Sequence, residues 1–384
     1  MKKHLLSSCV IGAFVCPTLA LADINVGIDL STTGPAAAIG IQSQNAISLW
    51  PKTLGGEKLN YIVLDDASDV SRAVKNVRKL TLEDKVDLVV GPNLTAAALA
   101  FLDVLKETET PMIALAASAA IVVPVDDPGR KWAFKMPQND TLMAKVLVED
   151  MLKKGYKNIA FIGYADSYGE NWWNEFNKVA DSKINVIARE SYQRTDTTVV
   201  GQVMKLIAAK PDAILIAGAG TPAVLPARTL KERGYKGPIY QTHGIGTLEF
   251  LQVGGKSVEG TLFPTGPGVV AHTLPDDNPV KKVALDFTQK YEAKFGANTA
   301  TQFAGDAYGA WMIADQAASR VIQKGIKPGT VEFRRALRDE IEQTKELTAP
   351  NGVFNITAKD HQGFDDRATV LGEIKDGKFQ YAKK

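Results

Sequence analysis

The chain has 384 residues, 45% of them hydrophobic and 23% charged, with a formal net charge of +2 and two cysteines. That length fits two domains of ordinary size, and the apolar fraction excludes wholesale disorder. So small a net charge argues against a nucleic-acid binder, which needs a basic surface.

Residues 1–22 carry the three parts of a secretory signal peptide. Lys2 and Lys3 start it, an apolar run follows from Leu5 to Val15, and Ala20-Leu21-Ala22 precede Asp23. The run is too short to span a bilayer. Cys16 follows Val15 rather than a small residue, and Cys9 sits very early, which argues against a lipid anchor. Cleavage after Ala22 removes two lysines, one histidine and both cysteines. The mature chain then has 43 basic and 43 acidic residues, three histidines and no cysteine. A disulfide framework and a thiolate metal site are thereby excluded. No later stretch has 18 consecutive apolar residues, so a soluble mature protein is expected.

Strands and helices then alternate. Asp23–Leu30 reads as a strand and Ser31–Pro35 as a loop, with a helix to about Leu54. Leu59–Leu64 is a strand, and Asp69 caps a helix whose Val70, Val74, Val77 and Leu80 share a face. Val86–Val90 is a strand, Asn93–Glu107 a helix and Met112–Leu115 a strand. A second series begins near Asp140. Its strands are Ile159–Gly163, Ile184–Glu190, Ala213–Ala217, Ile239–Gln241 and Gly260–Phe263. Its helices start near Tyr168, Thr198, Thr221 and Thr247. Residues 264–279 read as a crossing segment, followed by helices at 280–294, 303–323 and 330–343. Short strands at 368–374 and 379–382 end the chain. Strands rich in Val, Ile and Leu without strict alternation are those of parallel sheets covered on both faces. The pattern predicts an α/β fold of two doubly wound lobes with several strand crossings between them, as in a hinged clamshell. Lobe one is expected at 23–139 and 268–347, and lobe two at 140–267 and 348–384. Ligands in such sheets bind beyond the carboxyl ends of the strands.

Several constellations invite chemistry. Gly218–Ala223 matches G-x-G-x-x-A, but the next strand ends Gln241-Thr242-His243 without the acid a dinucleotide site needs. Ser118 and His243 could be nucleophile and base, yet there is no G-x-S-x-G elbow. His243, His272 and His361 are widely separated, and no metal-ligand spacing occurs. No cofactor and no metal are expected. What remains are short polar residues beyond strand ends: Asn93, Thr95 and Ser118 in lobe one; Tyr168, Thr221 and His243 in lobe two. Together they form two rims facing one cleft, suited to a small anion.

The stretches STTGPAAAIG at 31–40, VVGPNLTAAALA at 89–100, PMIALAASAA at 111–120, DSYGENW at 166–172 and PDAILIAGAGTPA at 211–223 resemble one family in order and spacing. It is the extracellular solute-binding proteins of ABC importers, of the leucine/isoleucine/valine type. The resemblance covers residues 24–384. It implies a type I periplasmic binding fold, two doubly wound lobes joined by a three-strand hinge and closing around the ligand, with a membrane permease as partner and a monomeric receptor. It also implies that Thr95 and Ser118 bind a ligand carboxylate, that the Ala116 carbonyl helps hold an amino group, and that Tyr168 borders the pocket. Leu94 and Ala117 belong to the same two loops.

Two departures shift the expected ligand. His243, in QTHGIG, stands where the amino-acid binders place a glutamate against the ligand's ammonium. Imidazole supplies no such charge. Ala219-Gly220 stand where those binders carry a tyrosine, which implies room for a larger body. The aromatic-acid branch, with its GTPAVLP and YQTHG stretches, is the most similar. The expected ligand is a small carboxylate such as benzoate, a hydroxybenzoate or benzoylformate. A branched-chain amino-acid carrier, a ligand-presenting sensor and a secreted hydrolase remain as alternatives.

Overall fold

A computed structural model describes residues 23–382, so the leader assigned to 1–22 lies outside the described residues. The first lobe opens with β1 (Ile24–Leu30), which is buried along nearly all its length. Helix α1 (Ala37–Ile47) stops well before Leu54. Pro51 cannot continue a helix. The chain instead forms a hairpin, β2 (Thr53–Leu54) and β3 (Glu57–Asp65), turning through Gly55 and Gly56 at φ +62° and +90°. Helix α2 (Val70–Arg78) follows, its Asp69 cap accepting from the Arg72 N–H at 2.7 Å as the sequence predicts. Then come β4 (Leu88–Val90), α3 (Thr95–Thr108), β5 (Met112–Ala114) and β6 (Ala133–Lys135).

The second series runs α4 (Asp140–Lys153), β7 (Asn158–Tyr164), α5 (Ser167–Ala180), β8 (Asn185–Tyr192), α6 (Val200–Ala208), β9 (Ala213–Ala217), α7 (Val224–Glu232), β10 (Ile239–Gln241), α8 (Leu248–Gly254) and β11 (Leu262–Thr265). Helices α9 (Lys281–Phe295), α10 (Gln302–Gln323) and α11 (Val331–Ile341) come next. The chain closes with β12 (Leu347–Ala349), β13 (Gly352–Phe354), β14 (Val370–Lys375) and β15 (Lys378–Tyr381).

The sheets have orders β2-β3-β1-β4-β5-β6 and β15-β14-β11-β10-β9-β7-β8. Within each, five consecutive strands are parallel in the doubly wound order, so strand order reverses beside β1 in one sheet and beside β7 in the other. Helices α1 and α10 bury Ile47, Ala310 and Ala314 against one face of the first sheet. Helices α2 and α3 bury Val77 and Phe101 on its other face. The second sheet has one continuous core containing Trp172, Phe176 and Tyr240. Among the described residues, no helix is long and apolar enough to cross a membrane.

The sequence predicts a passage to lobe two at residue 348, and the packing of the residues that follow argues for a later one. Ala349, Phe354 and Ile356 belong to the first-sheet core. His361 stacks on Phe134, ring centroids 4.3 Å apart, and its Nδ1 meets the Ala133 carbonyl at 3.0 Å. Only β14 and β15 join the second sheet. Leu347 and Ala349 of β12 and Phe354 of β13 pack in the same core as α10, which holds the hairpin back. We propose that the lobes are 23–139 with 268–364, and 140–267 with 365–384.

The passages between lobes meet at one buried polar node. The Gln302 amide nitrogen donates to Gln138 Oε1 and to the Asp306 carboxylate, each at 3.1 Å. Its oxygen accepts from the Gly266 N–H at 3.0 Å. The Gln138 amide donates to the carbonyls of Asn351 and Ala368, both at 2.8 Å. Every crossing segment is thus tied to the start of α10. Gln302→Leu orphans a backbone N–H and a buried amide. Urea unfolding should show a loss of roughly 2–4 kcal/mol; a loss below about 1 kcal/mol would mean the node does not hold the hinge.

Candidate functional site

The carboxyl ends of both sheets face each other across a cavity. Asn93, Leu94 and Thr95 follow β4 into α3, and Leu115 and Ala117 follow β5. From the other side come Tyr168 at the start of α5, Arg194 beyond β8, Ala219 beyond β9, and His243 and Gly244 beyond β10. Ile39, Pro137 and Phe303 complete the lining.

Each polar residue is set by its neighbours. Asn93 is buried, its oxygen accepting from the Ser31 N–H at 3.1 Å and its nitrogen donating to Ser43 Oγ at 3.1 Å. It braces the rim and has little left to offer a ligand. Leu94 precedes α3 in extended conformation and gives it no side-chain cap. The first N–H groups of α3 are therefore left free at the cavity, where a helix N-terminus favours negative charge. Thr95 begins this helix, and its hydroxyl makes no hydrogen bond within the described residues. Tyr168 donates to Thr242 Oγ1 at 2.8 Å, since that hydroxyl itself donates to the Gly218 carbonyl at 2.6 Å. Burial pushes the phenol's pKa up, so it stays neutral.

His243 is 1% exposed. Burial, aided by the Lys135 charge, pulls its pKa down to about 3, so the imidazole is neutral. Its Nδ1 has no hydrogen-bond partner among the described residues. Trp172 lies against the ring, centroids 5.8 Å apart. Gly244 is needed beside it: a Cβ there would stand 2.6 Å from Ala219 Cβ and 2.8 Å from the Tyr168 hydroxyl.

The sequence reading missed Arg194. Its Nε donates to Asp166 at 2.8 Å, and its guanidinium lies 4.0 Å from the Tyr164 ring centroid. Asp166 is itself anchored as the cap of α5, accepting from the N–H groups of Tyr168 and Gly169. The remaining guanidinium N–H groups make no hydrogen bond within the described residues. The one available signal was positional: Arg194 lies just beyond a strand end, like the residues that were found. The strand expected to end at Glu190 continues to Tyr192. No aspartate or glutamate lines the cavity.

Other expected residues fall just outside the lining. Ala116 is buried in the core behind it. Ser118 is fully buried, and its hydroxyl accepts from the Ala120 N–H at 3.2 Å, capping a short turn. No hydrogen bond joins it to His243, so a nucleophile–base pair is not assembled. Gly220 and Thr221 form the turn after β9. Gly218 serves close packing, since a Cβ there would meet the Tyr192 hydroxyl at 2.6 Å. The room expected over Ala219-Gly220 is filled from the opposite lobe. A Cβ on Gly220 would be 3.6 Å from Ile39 Cδ1. Ile39, Ala117 and Phe303 pack into the second-sheet core, so the lobes are closed on each other. The gap between them is about 30 Å³, room for about two waters. A ring-sized ligand must hold the rims wider than this.

A family model described as periplasmic binding protein matches residues 23–378. Leu/Ile/Val-binding protein homolog 3 of Brucella melitensis is 27% identical over 365 residues, covering 92% of this chain and 93% of its own. The crystal structure of an extracellular ligand-binding receptor from Rhodopseudomonas palustris HaA2 is 42% identical with a TM-score of 0.90, covering 94% of this chain and 100% of that one. A solute-binding protein of an R. palustris ABC transporter, in complex with benzoate, has a TM-score of 0.80 at 19% identity, a likeness of fold. It covers 94% of this chain and 95% of its own.

A buried neutral imidazole makes stability depend on pH. Between about pH 6.5 and 3 the unfolded chain takes up a proton that folded His243 refuses. Stability therefore falls as pH falls through that window, by about 1.4 kcal/mol per unit at steepest. His243→Gln should reduce that slope in denaturant titrations at pH 7 and pH 5. Equal slopes would mean His243 charges freely in the folded protein.

Proposed function

The chain belongs to the periplasmic binding protein family, and we propose that it is the receptor of an ABC importer for a small carboxylate lacking an α-ammonium. The ligand class is that of benzoate, a hydroxybenzoate or benzoylformate. The observation that carries this reading is the charge of the lining: one guanidinium, one neutral imidazole and no carboxylate. An amino acid would bring an ammonium to a cavity with no anion to meet it, and burying it unpaired is costly. A carboxylate finds Arg194, the Thr95 hydroxyl and the free N–H groups of α3. The His243 ring has a nitrogen to donate to an oxo group or a hydroxyl. Leu94, Leu115, Phe303 and Ile39 supply apolar surface for the ring.

The likeness to a benzoate-bound solute-binding protein agrees with this class, and the names of the curated relatives favour branched-chain amino acids instead. The lack of a carboxylate in the lining supports the former. Residues 1–22 are the export signal, cleaved after Ala22, and a permease in the membrane takes ligand from the closed receptor. Ligand shifts opening toward closure only by its differential affinity for the two states. Contacts from both rims supply that difference, and they strengthen as water leaves.

Calorimetric titration should show binding of benzoate-type acids and none of leucine. Arg194→Met should weaken those acids by about 1.5–3 kcal/mol, the range for a hydrogen bond to a charged group. Leucine binding with no response to aromatic acids would overturn the reading.

A further inference from the structure

Directly behind the first rim lies a pair of buried carboxyls that ligand binding does not use. Asp29 of β1 and Asp66, which follows β3, are both 0% exposed. Asp29 accepts from the Asn76 amide of α2 at 2.7 Å, and Asp66 accepts from the Ser68 N–H at 2.7 Å. Each thus has one oxygen served. The second oxygen of each, Asp29 Oδ2 and Asp66 Oδ2, is buried and makes no hydrogen bond of good geometry within the described residues, and the one hydroxyl beside Asp66 is that of Ser31. The other charges facing the pair are Asp65 of β3 and, beyond it, Arg72 of α2. Arg72 reaches only Asp65, at 3.9 Å. Asp65 is ionised, held down to about 2 despite its partial burial by the Thr33 hydroxyl and by the N–H groups of Ala67, Thr32 and Thr33.

Two adjoining carboxylates without a cation cannot both stay charged in such burial. We propose that Asp29 and Asp66 hold one proton between them, and that this shared proton locks the loop carrying the first rim. The loop is stitched to the acid pair from both sides. The Asp66 N–H donates to the Leu30 carbonyl at 2.9 Å. Ser68 Oγ donates to the Thr33 carbonyl at 2.8 Å and accepts from the Ala36 N–H at 3.0 Å. Ser31 holds Asn93, and α1 carries Ile39 into the cavity. Ionising both acids would force them apart and loosen residues 31–36.

Burial, with the facing Asp66 charge, raises Asp29 to about 8. The stability it contributes is therefore full below about pH 4 and is lost as pH rises through 8. An asparagine at either position keeps the proton-bearing form permanently, since its amide both accepts and donates. The test needs no ligand, so its failure is separate from that of the proposed carboxylate class.

Thermal unfolding of the full mature chain between pH 6.5 and 9 reads it. The parent should lose about 5 °C over that range, while Asp29→Asn stays nearly level. Asp66→Asn serves as the second variant and should flatten the profile likewise. Hydrogen exchange at residues 31–39, corrected for intrinsic rate, should quicken at pH 9 in the parent only. A flat parent profile, or parallel profiles in parent and variants, would overturn the proposal. So would a rise in the parent's melting temperature on adding sodium or calcium ions that Asp29→Asn abolishes, because a metal ion would then stand where the proton is assigned.

Discussion

Everything about this receptor depends on a hinge that is densely hydrogen-bonded and yet built from thin strands of chain. Gln302 sits at the first turn of α10 and uses both ends of its amide to hold separate crossings. Asn351 adds bonds to the Gln302 carbonyl and to Asp306 at 2.9 and 2.7 Å. Lys135, Asp140 and Asp306 are buried around the same node, and desolvation lowers the lysine and raises both acids. A polar network in a low-dielectric setting is costly unless every member is paired. Here most of the network is paired, and it ties the crossing segments together behind the carboxyl ends of the two sheets.

From that constraint the electrostatics of the cleft follow. Doubly wound sheets bring helix N-termini and strand-end loops to the closing faces. The faces are therefore already biased toward an anion before any side chain is chosen. The side chains add to that bias. Asp166 pairs with Arg194 through Nε and orients it, which leaves the other guanidinium N–H groups as donors toward the cavity. Lys135, donating to the Pro137 carbonyl behind the lining, helps keep His243 uncharged. The free N–H groups of a paired guanidinium and several neutral donors remain to meet the ligand.

Much of this was legible in the sequence because it is local. The Val, Ile and Leu runs at 24–30, 88–90 and 213–217 showed parallel strands, and Asp69 and Thr247 showed helix starts. The loops after those strands carried the rim residues, so Thr95, Tyr168 and His243 could be found by position. What was missed rests on distant contacts. Trp50 donates to the Ala307 carbonyl, 257 residues away, which draws the chain around the β2–β3 hairpin toward α10. Phe354 and His361 return to the first core for the same kind of reason. Ile39 fills the space over Gly220 only because the other lobe closes on it. Arg194 lacks a local pattern: its place comes from Asp166 and Tyr164 on neighbouring elements.

The central claim is that a carboxylate without an ammonium sits between Arg194 and the start of α3. A crystal structure of the mature protein with the small molecule it carries through purification tests this most directly. The account predicts an aromatic or oxo acid whose carboxylate meets the Arg194 guanidinium and Thr95, with no cationic group opposite His243. Density for an α-amino acid, its ammonium held by backbone carbonyls, would contradict it.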